Sequence, residues 1–343
     1  MDSQRLILII AFSFVMLLMW QAWNEDQAAL VAQQQASTSP VAQADVPAAA
    51  AEAPAARDDV PTTQDQPAAQ AVATAGQQVR VVTDVLDVVI STRGGVIQRA
   101  DLRGYPVSLD QPDQPVRLLN DAAGLINIAQ SGLRSPDGPA PDHYAAYVAA
   151  NDEYRLGQGD ERIVVPLTWE QDGVKVTKTY TFTRGSYKVD VAHEVHNGGS
   201  APWSGSQYRQ LQRNADGGGM ALVYTYTGGV YAGTQPDGER RPYEKVSFED
   251  MGKVALDAQL SNGWVAMIQH YFVGAWIPDN KDEANRFYTL TSQNGGALYT
   301  LGMMSPARAV EPGASTTFAS VSYTHLRAHE TVLDLVCRLL LEK

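Results

Sequence analysis

The sequence predicts an all-β protein, a large antiparallel sandwich preceded by one transmembrane helix. Three observations predict it. Strand-like runs rich in β-branched residues recur at short spacing from Val79 to Val321, with Gly-rich turn clusters and no long amphipathic helix between them. An apolar run, Leu6–Trp23, opens the chain. Between the two lies a stretch of mostly Ala, Gln, Pro, Thr and Asp.

The opening run reads LILIIAFSFVMLLMWQAW and is broken only by Ser13 before the tryptophans. Counted to Trp23 it is about 18 residues, near the lower limit for a helix that crosses hydrocarbon. Trp20 and Trp23 suit a membrane–water interface, and Arg5 flanks the other end, so residues 1–5 are expected in the cytoplasm and the remainder outside. The sequence Gln21–Asp26 lacks a clean small-x-small cleavage site, which favours an uncleaved signal anchor over 6–23. Residues 24–78 follow as a disordered tether. Pro40, Pro47, Pro54, Pro61 and Pro67 interrupt any helix that the alanines favour, and too little apolar surface is present to offset the entropy of ordering.

The sandwich is expected over 79–321. Val79–Thr92, followed by the turn Arg93-Gly94-Gly95 and the partner Val96–Leu102, opens it. Further strands are expected at Leu125–Gln130, Ile163–Glu170, Val174–Thr183, Tyr187–Val195, Ser206–Leu211, Leu222–Thr227, Trp264–Ile277, Arg286–Thr291, Ala297–Met303 and Thr316–Val321. About 240 residues is large for one sandwich, which implies extended, many-stranded sheets. Residues 322–343 abandon this pattern for a helix-like one, with Leu333, Val336 and Leu340 on one face. The stretch resembles translated adapter sequence and is read as a sequence artefact. Neither Cys337 nor the i,i+4 pair His325 and His329 is therefore given functional weight.

With 343 residues and a net charge of −12, the chain argues against nucleic acid as a partner, since phosphate binding needs clustered Lys and Arg. Its single cysteine excludes an intrachain disulfide. In His193-Glu194-Val195-His196 the imidazoles are three apart on an expected strand and so diverge, which disfavours a shared metal ion. Asp84 and Asp87 diverge for the same reason and read as solvated strand charges. The Gly-rich Asn214–Met220 lacks the spacing of a phosphate cradle and reads as a loop. Gly228–Lys245, with Arg240, Arg241 and Lys245 among Asp237, Glu239 and Glu244, reads as a solvated loop able to meet a partner protein. Trp264–Pro278 reads as core, and His270 within it as a core histidine. No catalytic, cofactor-binding or metal-ligating residue is assigned.

Several segments together carry a family resemblance. MDSQR before the apolar run, TDVLDVVISTRGG from Thr83, Ala129–Leu133 (AQSGL), Lys178–Asn197 (KTYTFTRGSYKVDVAHEVHN) and Asn262–Pro278 (NGWVAMIQHYFVGAWIP) resemble the YidC-type membrane protein insertases of Gram-negative bacteria. The resemblance spans residues 1 to about 321 apart from the linker. It implies a periplasmic β-supersandwich similar to galactose mutarotase-like proteins, with a cleft and no established catalysis, held at the inner membrane. It also implies a role in insertion and folding of inner-membrane proteins, alone or with the Sec translocon. The implied partners are nascent inner-membrane proteins, the translocon with its accessory subunits, and membrane lipid; no cofactor is implied. The family's membrane-embedded core, with its hydrophilic groove and basic residue, matches no segment of this chain. The competing reading is an anchored periplasmic carbohydrate-binding or mutarotase-like enzyme. That chemistry needs an acid and a base converging on one sugar ring, for which His193, His196 and His270 with Glu194 are the available groups.

Overall fold

The computed structural model describes residues 76–326, except 109, 123–124, 216–225, 270–271, 281 and 293–296. The expected anchor and the tether up to residue 75 lie outside the described residues, as do 327–343, Cys337 and His329. The described residues form nineteen strands. These are β1 (Gln78–Val82), β2 (Leu86–Ser91), β3 (Val96–Pro106), β4 (Pro115–Leu119), β5 (Asn127–Arg134), β6 (Val148–Ala149), β7 (Glu153–Arg155), β8 (Arg162–Gln171), β9 (Val174–Thr183) and β10 (Lys188–Asn197). There follow β11 (Trp203–Asn214), β12 (Gly228–Thr234), β13 (Arg240–Val246), β14 (Asp257–Gln269), β15 (Phe272–Pro278), β16 (Asn285–Ser292), β17 (Leu298–Met304), β18 (Arg308–Val310) and β19 (Ser315–Leu326). A single short helix, α1 (Phe248–Lys253), stands among them. Its N-cap Ser247 Oγ accepts from Asp250 N at 3.0 Å, satisfying a first-turn donor. Among the described residues no helix is long and apolar enough to cross a membrane.

The ladders build two layers. One runs β7-β1-β2-β3-β5-β11-β17-β16, with β4 beside β3. The other runs β6-β8-β9-β10-β19-β15-β14-β12-β13. All pairings are antiparallel except the short β1–β7 ladder. Strand β14 joins the layers: Asp257–Leu260 pairs with β16 in the first, and Trp264–Gln269 pairs with β12 and β15 in the second. Alternation fills the space between. Val174, Val176, Tyr180 and Phe182 of β9 point inward, as do Val189, Val191 and Val195 of β10, while their neighbours face outward. The main cluster also takes Val79, Leu86, Leu102, Leu211, Met267, Trp276 and Phe287 from across both layers.

The structure corrects several sequence expectations. Val79–Thr92 is two strands, not one. Thr83 Oγ1 accepts from Val85 N and Leu86 N, and this local bond set makes a turn in the middle of the run. Trp264–Ile277 is likewise a hairpin, β14 to β15, whose turn at 270–271 lies outside the described residues, so His270 is not placed. Its strands are buried on both faces, which explains the near-continuous apolar run. Gly228–Lys245 is not a loop but the hairpin β12–β13, although its exposed edge is charged as a solvated segment would be. Residues 322–326 do not begin a helix. They extend β19, with Ser322 opposite both Val189 and Trp276, because a strand flanked on two sides gains more hydrogen bonds than an isolated helical turn. His325 lies on this strand, and its i,i+4 partner His329 is outside the described residues. Leu222–Thr227 falls mostly on residues not described.

At the Arg93-Gly94-Gly95 turn, Gly94 has φ +71°, and a Cβ there would collide with the His143 carbonyl. Gly94→Ala is expected to destabilise the domain by more than about 1 kcal/mol, through both the left-handed backbone and the clash. Chemical denaturation of the two proteins measures it.

Candidate functional site

The inward parity of β9, β10 and β11 places polar side chains among the apolar ones. Lys178 occupies the position between Val176 and Tyr180, His193 that between Val191 and Val195, and Gln207 and Arg209 precede Leu211. Lys178 and His193 are wholly buried and face each other across β9 and β10. Lys178 Nζ donates to Gly94 O and to Ser131 O, both at 2.9 Å. Gln207 Nε2 donates to His193 Nδ1 at 2.9 Å, which leaves the imidazole proton on Nε2. Ser131 stands opposite Arg209 across β5 and β11. Among the described residues, His193 Nε2 and Arg209 Nε of this group have no hydrogen-bond partner. Such buried orphans carry a desolvation cost of about 1–3 kcal/mol each, so they mark a site rather than a device for stability.

Gln207 and Arg209 also line a small pocket of about 70 Å³ together with Ser305, Glu283, Arg308 and Phe318. Arg209 Nη2 donates to Asn285 Oδ1 at 2.8 Å. Arg308 Nη2 lies 3.3 Å from both Glu283 oxygens, and its guanidinium sits 4.8 Å from the centre of the Phe318 ring. Burial pushes the Arg209 guanidinium down to about 10; Glu283 and Tyr288 oppose that shift and Arg308 adds to it. It still carries its charge at neutral pH. Burial also drives the Lys178 amine well below the usual lysine range. The His193 imidazole is held well below its usual value by burial first, then by Lys178 and Arg209.

The structure separates the sequence candidates. His193 points into the sandwich, whereas His196 is exposed and meets Ser315 Oγ at 3.0 Å. Glu194 faces solvent. Asp84 sits in the β1–β2 turn, where its carboxylate accepts from Gly185 N. Asp87 lies on β2 and is paired with Arg80 at 2.5 Å. Burial alone would raise the Asp87 pKa, but the hydrogen bond and charge of Arg80, with Arg99 and Arg103, outweigh it and hold the carboxyl low. Most of Asn214–Met220 is not described. Among the described residues no group of three or more His, Cys, Asp or Glu could hold a metal ion. Lys178, Gln207, Arg209, Glu283 and Arg308 were not singled out by motif. For Lys178 the signal was present as parity, a lysine on the apolar side of VKVTKTYTF. A buried amine bonded to two carbonyls and an imidazole bonded to a carboxamide form neither a nucleophile–base pair nor a pair of opposed carboxylates. The arrangement holds groups in place.

The ladders and the inward alternation define the class first: a large antiparallel β-sandwich domain with a small polar pocket. The family model for the YidC periplasmic domain matches residues 78–324. A membrane protein insertase YidC of Thioalkalivibrio sulfidiphilus is 42% identical over 335 residues, covering 93% of this chain and 58% of that protein. One of Alkalilimnicola ehrlichii is 41% identical over 340 residues, covering 98% and 58%. The chain belongs to the YidC family, and it spans under three fifths of the length of these relatives. Among solved structures, a galactose mutarotase related enzyme of Lactobacillus acidophilus matches with TM-score 0.47 and 11% identity over 74% of this chain and 99% of that one. A putative aldose 1-epimerase of Escherichia coli K12 matches with TM-score 0.43 at 11% identity, over 73% and 99%. At that level of likeness nothing about activity follows. The matched span includes Ser322–Thr324, in agreement with the strand pairing there.

Two pH dependences follow from the interior. The His193 pKa is lowered on folding, so the unfolded chain takes up a proton first as pH falls below about 6.5, and stability is lost there. Melting temperatures at pH 7.5 and 5.5 are expected to drop more for the wild type than for His193→Gln. The Lys178 pKa is also lowered, so stability rises with pH up to about 10.4. Lys178→Met is expected to flatten that rise, whatever its effect on stability at neutral pH.

Proposed function

We propose that this chain is the anchor and periplasmic part of a membrane protein insertase, working at the bacterial inner membrane on nascent inner-membrane proteins. The carrying observation is the match of residues 78–324 to the YidC periplasmic domain, with relatives over 40% identical along nearly the whole chain. The apolar run Leu6–Trp23 supports an anchor with its N-terminus in the cytoplasm, 24–78 a tether, and the charge balance a partner other than nucleic acid. The work of an insertase is to lower the cost of carrying polar segments through hydrocarbon. In this reading the β body does not perform that step; its part is non-enzymatic, docking the Sec translocon or its accessory subunits, and among the described residues no interior group is arranged for bond chemistry.

The alternative, an anchored sugar enzyme, needs an acid and a base on one ring. His193 and His196 lie on opposite sides of β10 and cannot converge. Polarimetry with common aldoses separates the readings; anomerisation above the buffer rate, lost in His193→Ala, would favour the enzyme.

A chimera tests the proposal. Residues 1–326 of this chain, grafted in place of the matching part of the Thioalkalivibrio relative, are expected to restore growth and membrane protein insertion in a strain depleted of its own insertase. A chimera made at normal level in the membrane that restores neither would refute it. Deleting 79–291 from that chimera is expected to weaken crosslinking to the translocon more than insertion itself.

A further inference from the structure

The two ends of the sandwich differ in chemistry. One end gathers the β8–β9, β10–β11 and β18–β19 turns. Gly198 N donates to Gly173 O, Asn197 N to Ala314 O and Gly313 N to Asn197 O. Its turns carry Asp172, Gly173, Gly198, Gly199, Glu311 and Gly313, with Lys175 and His196 exposed beside them, and none of these is aromatic or a large aliphatic. The other end gathers the β1–β2, β3–β4 and β9–β10 turns and the last residues of β19. Gly185 N donates to Asp84, Lys188 pairs with Tyr323, and Phe272 pairs with Leu326. Here Tyr105 and Tyr187, both half-buried, stand 5.9 Å apart, next to the buried Tyr323. Val107, at the tip of β3, is 60% exposed.

Half-buried tyrosines with a protruding aliphatic side chain match the headgroup layer of a bilayer, where an aromatic body is apolar on one side and wet on the other. The cations of this end, Arg103, Arg184 and Lys188, are offset by Asp84, Asp110 and Asp113, and the chain as a whole is acidic. A zwitterionic headgroup layer therefore fits better than an anionic one. β19, the last described strand, also ends here. We propose that the Tyr105–Tyr187 end of the domain rests on zwitterionic lipid headgroups, with Val107 reaching into them. This rests on the membrane location given above for the whole chain.

The test uses the full chain in phosphatidylcholine vesicles, with Cys337→Ser as background and an environment-sensitive fluorophore on Val107→Cys. The control carries the label on Glu311→Cys at the opposite end. Nitroxide-bearing phosphatidylcholine is expected to quench the Val107→Cys label several-fold more than the control, and 0.5 M salt is expected to leave the difference in place. A second pair guards against a local effect of the cysteine: a label on Ser108→Cys is expected to be quenched, and to lose that quenching when Val107→Asp is added. Equal quenching at both ends, in a chain that floats with the vesicles, overturns the headgroup contact and leaves the insertase reading standing. A chain that does not float overturns both.

Discussion

One amine holds the two layers in register. Lys178 Nζ, on β9 of the second layer, reaches the carbonyls of Gly94 and Ser131, which belong to the β2–β3 turn and to β5 of the first. Tyr180, one inward position further on, donates its hydroxyl to Gly95 O in the same turn. A charged amine in this place would meet a desolvation penalty of several kcal/mol that two hydrogen bonds of about 1.5–3 kcal/mol each only partly offset. Burial accordingly holds this amine well below the usual lysine range. The tyrosine rings of Tyr147 and Tyr180, 5.9 and 5.6 Å from Nζ, line the remaining side. What the lysine supplies is position rather than net stability. It fixes where the Arg93–Gly95 turn lies against the opposite sheet, and through Ser131 it fixes β5 and the Arg209 strand beside it.

From that point the interior polar groups follow in sequence across the layers. His193 stands next to Lys178, Gln207 holds His193, and Arg209 lies two residues further along β11 at the inner wall of the pocket. At the mouth the charges are matched: Arg308 is held by Glu283 and covers Phe318. The pocket thus sets the Arg209 charge at its inner wall, with Arg308, Glu283 and Asp279 also lining it. Such a site discriminates by shape and hydrogen bonding more than by attraction at a distance.

The all-β class was legible because alternation and Gly-rich turns are local signals, and the inward faces of β9 and β10 can be read directly from VKVTKTYTF and KVDVAHEV. The divergence of His193 and His196 needed only the two-residue period of a strand. Less was legible where a side chain bonds its own backbone, as Thr83 does in splitting β1 from β2, since no periodicity announces such a turn. The β12–β13 hairpin was hidden because an edge strand faces water and carries the composition of a loop. The interior polar group was half visible: parity flags Lys178, but its carbonyl partners lie 84 and 47 residues away in sequence and only the fold brings them together. The pocket is in the same position, assembled from β11, the β15–β16 connection and β18–β19.

The place of β19 has a consequence for how the domain comes into being. This final described strand is not at a margin; it fills the middle of its sheet, between β10 and β15. Until it arrives, those two strands present unsatisfied backbone along their whole length, and the sheet exists only as separate halves. If the part of the polypeptide that follows the anchor is exported progressively toward its C-terminal end, every earlier strand must wait in the new compartment for Leu326 to emerge. During that interval the nascent chain stays open to sticky, off-pathway pairing, so vectorial export would favour rapid delivery or an attendant holding factor over gradual, strand-by-strand assembly.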